Sequence, residues 1–186
     1  MVNHKLARWA QRSLTISAVL FLGTVALVFL AGLFLPDHFE VQRTLMIDAT
    51  RERIHPHLID LANWREWTPW EKTDATLVHE YSDPSSGVGA WHLWRGEDVG
   101  AGRIEITAAD VERGVWYDMS FDLDPDPMRG ALRYMPSDTG VLLEWSLRGE
   151  LNGPLERAIG PILTWRADAE FEECLAALAR LIADSG

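Results

Sequence analysis

The side chains equipped for chemistry in this sequence are histidines and carboxylates, and their spacing limits what they can do. His38, His55, His57, His79 and His92 are numerous enough for a metal centre. His55 and His57, however, stand two apart across Pro56, so on a helix they point in different directions. No H-E-x-x-H or carboxylate-histidine pattern accompanies them, and a lone cysteine, Cys174, rules out an internal disulfide or a cysteine-based zinc site. Neither a metal nor a cofactor is expected. His92 is a weak catalytic candidate: if Trp91, Leu93 and Arg95 face outward, it points inward with Trp94, where a neutral imidazole could act as general base. Glu71, Asp74, Glu97 and Asp98 are the candidate acids, all in turn-like stretches where carboxylates are ordinarily solvated. The sequence has no nucleophile elbow, P-loop or dinucleotide fingerprint. Gly87-Val-Gly89 and Gly100-Ala-Gly102 lead into strands, not helices, and read as hairpin turns.

Aromatic residues offer a second chemistry, the binding of apolar molecules. Trp64, Trp67 and Trp70 recur every third residue, and Pro69 stops any helical continuation. They read either as a plug locking short helices onto a sheet, or as a rim at a cavity mouth or at the bilayer interface. The candidate cavity lining is Ile104, Ile106, Tyr117, Met119, Phe121, Leu132, Tyr134, Leu143, Trp145 and Trp165. The same residues would serve equally as ordinary core. Tyr117, Tyr134 and Trp145 are the informative members, because a buried hydroxyl or indole needs a polar partner and could orient a ligand.

The elements that must position these residues follow from periodicity. Phe39 to Asp48 alternates as a strand with Arg43 as its exception, and Thr50 offers an N-cap for a helix through about Leu61, carrying Ile54, Leu58 and Leu61 on one stripe. Pro56 should kink that helix or confine it to short pieces. Six strands are expected next, near 76–81, 88–96, 103–111, 115–123, 130–135 and 141–151, separated by Asp-Pro, Gly and Asp-Pro-Asp-Pro turn signals. Two alternate cleanly: Val115, Tyr117, Met119, Phe121 and Leu123 oppose Asp118, Ser120, Asp122 and Asp124. Val141, Leu143, Trp145 and Leu147 oppose Glu144, Ser146, Arg148 and Glu150. After a break at Gly160-Pro161, Ile162 to Ala183 carries Trp165, Phe171, Cys174, Leu175, Leu178, Leu181 and Ile182 at helical spacing. The expected fold is α+β, a curved antiparallel β-sheet wrapped around a long C-terminal helix.

A transmembrane helix is expected before that domain. Residues 14–35 run for 22 residues without a charge, which at 1.5 Å per residue spans roughly 33 Å, the thickness of a bilayer's hydrocarbon. The stretch is longer than a signal-peptide core, and cleavage after Ala31 would put bulky Phe29 at the −3 position, so an uncleaved anchor is favoured. Lys5, Arg8 and Arg12 precede the span while Asp37 and Glu40 follow it, which by the positive-inside rule places the N-terminus in the cytoplasm and the rest outside. The division is therefore 1–37, stub and anchor, and 38–186, soluble domain. The chain carries 15 Arg, 2 Lys and a net charge of −11, a balance that argues against nucleic acid as a partner.

The strings VQRTLMIDAT, DLANWREWTPWEK, YSDPSSGVGAWHLWRGEDVGAG and GVLLEWSLRGEL, in the element order above, resemble the SRPBCC superfamily. This superfamily holds the helix-grip domains that include the START, Bet v 1 and polyketide cyclase/dehydrase families. The resemblance is closest to polyketide-cyclase-like bacterial proteins with an N-terminal membrane helix. It implies a cavity between sheet and long helix suited to a hydrophobic small molecule or lipid, and a place in the bacterial cytoplasmic membrane. It implies no reaction, because the superfamily includes carriers, sensors and cyclases. The expected function is membrane-anchored binding of such a molecule, as carrier or sensor. The rivals are a polyketide cyclase/dehydrase-like enzyme and a non-catalytic interaction module whose protein partner the sequence does not name.

Overall fold

The computed structural model describes residues 3–70, 74–122, 124–137 and 140–185. The chain forms two compact units, Met1–His38 with Leu151–Pro161, and Phe39–Glu150 with Ile162–Gly186. In the first, α1 (Asn3–Gly32) contains Leu14–Gly32, 19 residues of mean hydropathy 2.5, long and apolar enough to cross a membrane. The Thr24 hydroxyl within it donates to the Leu20 carbonyl at 3.0 Å, so this polar group is satisfied inside the helix. Where α1 ends, the chain packs backbone to backbone. A Cβ at Gly32 would lie 1.7 Å from the Pro154 carbonyl oxygen, and the Leu151 N–H donates to the Asp37 carbonyl at 2.7 Å.

The remaining elements are β1 (His38–Ile47), α2 (Arg51–Ile59), a single 3₁₀ turn (Leu61–Asn63), α3 (Trp64–Trp67), β2 (Val78–Tyr81), β3 (Trp91–Gly96), β4 (Gly100–Asp110), β5 (Gly114–Phe121), β6 (Asp124–Met135), β7 (Val141–Glu150) and α4 (Pro154–Asp184). The seven strands form one curved antiparallel sheet in the order β1-β7-β6-β5-β4-β3-β2, so β2 to β7 are a meander and β1 joins beyond β7. Period-two alternation sends Ile104, Ile106, Val115, Tyr117, Leu132, Leu143, Trp145 and Leu147 to one face. They are buried there with Ile54 and Leu58 of α2, Trp64 and Trp67 of α3, and Phe171, Cys174, Leu175, Leu178 and Ile182 of α4. This is the helix-grip arrangement, α+β, with its core between sheet and helices.

Two glycines let large rings lie on the sheet. Gly130 pairs directly with Tyr117 across β5 and β6, and Gly102 with Trp94 across β3 and β4. A Cβ at Gly130 would meet the Tyr117 ring at 2.0 Å, and one at Gly102 the Trp94 ring at 2.3 Å.

Several local expectations are corrected. The Gly160-Pro161 pair does not break α4, which begins at Pro154 and runs through it. Proline's φ is compatible with a helix and only one N–H is lost, at the point where the two compact units part. The Asp-Pro-Asp-Pro sequence belongs to β6, not to a turn alone, because its prolines fall where the β5–β6 ladder shifts register between Met119 and Phe121 and ladder donors are dispensable. The first helix ends at Ile59, and Leu61 lies in the following 3₁₀ turn. Thr50 occupies the N-cap position through its carbonyl, which accepts from the N–H groups of Arg53 and Ile54, and makes no side-chain cap bond. Glu144, expected on the wet face, is buried, because β7 lies between two other strands whose Gln42 and Arg133 reach over it and hydrogen-bond its carboxylate. Arg43, the exception in β1, pairs with Asp168 of α4. Leu123 lies outside the described residues.

The seating of Tyr117 on Gly130 predicts that Gly130→Ala lowers unfolding stability by about 1–3 kcal/mol through overpacking, and the large cavity left by Phe171→Ala lowers it by about 3–5 kcal/mol. Chemical denaturation with matched m-values measures both. A Gly130→Ala protein as stable as the wild type would show that the ring is not seated on that residue.

Candidate functional site

The inner face of the sheet has two unlike halves. Across β5, β6 and β7 it is filled. Trp145 stacks on Phe171 of α4 with ring centroids 3.9 Å apart and planes 8° from parallel. Trp64 and Trp67 pack edge-on to Trp145, and Trp64 also meets Tyr117 edge-on. The polar atoms here are consumed internally. The Trp145 Nε1 donates to the Tyr117 hydroxyl at 2.8 Å, Trp64 Nε1 to the Leu58 carbonyl at 3.0 Å and Trp67 Nε1 to the His57 carbonyl at 3.3 Å. Burial pushes the Tyr117 phenol well above its ordinary range, so it stays protonated.

Across β2, β3 and the adjoining ends of β4 and β5 the same face is less covered. Trp70, His79, Tyr81, Trp94 and Met119 are half-buried there, and Phe121 is 39% exposed. The antiparallel register sets His79 opposite Trp94 and Tyr81 opposite His92. His92, only 3% exposed, therefore lies between the Tyr81 ring, stacked at 4.5 Å, and the Trp94 ring at 5.8 Å. His79 Nδ1 and His92 Nε2 are 2.8 Å apart, so one imidazole donates a hydrogen bond to the other. Trp94 in turn meets Phe121 edge-on and stacks on Trp70, whose indole N–H donates to Glu170 of α4. The result is an aromatic wall with one hydrogen-bonded imidazole pair set into it. Such a surface suits a flat or aliphatic molecule with a hydroxyl or carbonyl.

Asp74 anchors one edge of this half. Its Oδ1 accepts from the Thr76 N–H and hydroxyl at 2.8 and 2.6 Å, and its Oδ2 from the Asp98 and Val99 N–H groups at 2.8 and 3.2 Å. These bonds, the Thr76 hydroxyl foremost, pull its pKa down to about 2. Asp74 is thus a structural clamp on the β3–β4 turn and holds a charge instead of exchanging a proton. Elsewhere, the Tyr134 hydroxyl lies 3.0 Å from His55 Nδ1. Burial lowers the His55 pKa against the opposing charge of Asp110 and raises that of Tyr134, so the phenol donates to a neutral imidazole.

The residues read from the sequence are therefore distributed unevenly. Ile104, Ile106, Tyr117, Leu132, Tyr134, Leu143 and Trp145 all lie in the packed core. Met119 and Phe121 lie at the open half. Trp165 is 72% exposed, standing six residues before Phe171 and so about 120° around the helix from the buried stripe. Of the three tryptophans considered as a rim, Trp64 and Trp67 are core plugs, 2% and 1% exposed, and Trp70 alone faces the open half. His92 does share Trp94's inward face. Glu71 lies outside the described residues, and Glu97 and Asp98 sit in the β3–β4 turn. Sequence reasoning missed the pairing of His79 with His92 and the role of Tyr81. The available signal was the period-two pairs His79/Tyr81 and His92/Trp94 on strands that must adjoin. Among the described residues no group of three or more metal-ligating side chains occurs.

Comparison with known proteins agrees with this geometry. The family model described as polyketide cyclase / dehydrase and lipid transport matches residues 38–183. The chain belongs to this family. Similar solved structures include a protein of unknown function, SA2116, from Staphylococcus aureus, with a TM-score of 0.62 at 10% identity, covering 80% of this chain and 95% of that one. Protein CV1439 from Chromobacterium violaceum aligns with a TM-score of 0.55 at 18% identity, covering 79% and 98%. The di-domain ARO/CYC StfQ from the steffimycin biosynthetic pathway aligns with a TM-score of 0.57 at 11% identity, covering 80% of this chain and 51% of that one. No curated protein matches in sequence. At these identities the structural neighbours establish the shared fold of the polyketide cyclase/dehydrase and lipid transport family, and nothing finer.

Two measurements test the site's electrostatics. A carboxyl held at about 2 instead of 3.8 contributes stability in full above the unfolded value and loses it as pH falls through the folded one. The melting-temperature advantage of wild type over Asp74→Asn should therefore be constant above about pH 4 and shrink on acidification toward pH 2. An advantage independent of pH would refute the clamp. Cys174 is fully buried, and burial, with Glu170 and Glu173 adding, pushes its thiol upward. It should resist maleimide in the native protein and react on unfolding, and rapid native labelling would show that α4 does not stay docked.

Proposed function

We propose that this protein is a membrane-anchored carrier or sensor that binds a hydrophobic small molecule or lipid on the open aromatic half of the inner sheet face. One observation carries this reading: Trp70, Tyr81, Trp94, Met119 and Phe121 stay partly uncovered on a face whose other half, from Ile104 and Tyr117 to Leu147, is buried. Apolar side chains left uncovered beside a packed core are the usual mark of a binding surface. Membership in a family described by polyketide cyclase, dehydrase and lipid transport activities supports the ligand class. The anchor would be Leu14–Gly32. With Lys5, Arg8 and Arg12 before it, the N-terminus lies in the cytoplasm and the domain outside a bacterial inner membrane.

The polyketide cyclase/dehydrase-like alternative has a specific observation in its favour, the His79–His92 hydrogen bond. A hydrogen-bonded imidazole pair beside an apolar wall could pass a proton to or from a bound carbonyl compound. The carrier reading is preferred because the other candidate acid on this side, Asp74, is locked as a carboxylate.

The test is native mass spectrometry of the full-length chain extracted gently from membranes, followed by solvent extraction of what it carries. The expected result is an apolar molecule bound near one-to-one, with occupancy reduced about tenfold, the equivalent of 1.4 kcal/mol, in Trp94→Ala and unchanged in Trp165→Ala. An empty wild-type protein, or equal occupancy in the two variants, would overturn the assignment. Under the enzyme alternative, His92→Ala would retain the molecule and lose its conversion.

A further inference from the structure

We propose that the first turns of α4, together with the last residues after α1, form an apolar collar that enters the lipid headgroup boundary beside the anchor. This inference rests on reading α1 as a membrane anchor. Within the first compact unit, Leu33 is 50%, Phe34 89%, Leu155 52% and Ile159 47% exposed. Leu155 and Ile159 stand four apart and so share one face of α4. The chain brings this face to the end of the span, because Gly32 lies against Pro154 too closely for any side chain and Leu151 is tied to Asp37. Polar groups of the same turns are directed to backbone. The Glu156 carboxylate accepts from the Asn152 N–H at 2.7 Å at the helix start, and Arg157 Nε donates to the Leu151 carbonyl at 3.2 Å. Leu155 and Ile159 are the large apolar side chains exposed on these turns, with Asn152 and Glu156 also exposed beside them.

Bilayer is the occupant this placement selects. The collar adjoins the end of a segment of bilayer-spanning length, at the level where amphipathic surfaces insert shallowly. Four side chains fall far short of the roughly 800 Å² per partner of a stable protein interface.

The experiment places nitroxide spin labels on Leu155→Cys, Ile159→Cys, Val25→Cys and Glu80→Cys, each in the full chain in vesicles of phosphatidylethanolamine and phosphatidylglycerol. Cys174 is buried and stays unlabelled in the native protein. Relaxation by oxygen against a water-soluble nickel chelate then reads depth. Labels at 155, 159 and 25 should favour oxygen, and the label at 80, on the exposed side of β2, should favour nickel. If 25 favours oxygen while 155 and 159 favour nickel, the collar is overturned and the anchor stands. If 25 also favours nickel, the anchor reading fails and takes the collar with it. Spin–spin broadening at 159 that disappears on dilution with unlabelled protein would assign the collar to a second copy, and equally overturn contact with lipid.

Discussion

A seven-stranded sheet with an apolar inner face cannot stand in water, and the rest of this domain follows from how that face is covered. The Trp145–Phe171 stack fixes α4 to the middle of the sheet. Around it α2 and α3 supply Leu58, Trp64 and Trp67, whose indole nitrogens find backbone carbonyls nearby. Indoles bury a great deal of apolar area for one polar atom each, so satisfying that atom locally is what allows them to fill a core at all.

That solution covers only part of the face. α3 ends at Trp67 and the buried stripe of α4 begins at Phe171, so the β2–β3 side is left with aromatic rings that cover one another incompletely. The imidazole pair is stable there because its members are each other's partners and are flanked by Tyr81 and Trp94. Asp74 performs the corresponding task for backbone, gathering N–H groups from the β3–β4 turn that strand pairing leaves over.

Much of the fold was legible in the sequence, because patterns of known period report it directly. Alternation in β5 and β7 and the helical stripe from Phe171 to Ile182 each carry their own period, and the uncharged run in α1 is legible by its length. What the sequence left undecided was how far each element extends. Pro161 and the prolines near 125–127 are strong local stop signals, yet α4 and β6 pass through them because context determines whether one missing donor matters. Trp165 is exposed for a different reason: it stands about 120° around α4 from the stripe that begins at Phe171, and a list of apolar residues at roughly helical spacing does not separate the two faces. The site was legible only in part. His79 and His92 are 13 residues apart, and their contact is created by register between β2 and β3, a long-range fact that no local window contains. Trp64 and Trp67 were compatible with core and rim alike until neighbouring rings were known.

The two ring-on-glycine pairs have an implication for how this domain can change. Tyr117 occupies the volume that a side chain at Gly130 would need, and Trp94 does so at Gly102. Neither member can be exchanged on its own terms: enlarging the glycine evicts the ring, and trimming the ring opens a hole over a residue with nothing to fill it. Each pair can therefore change only as a unit. Because one pair seats the packed half and the other seats the open half, substitution of Gly102 and Trp94 together could reshape the open aromatic wall while leaving the Gly130–Tyr117 seat, and the core above it, intact.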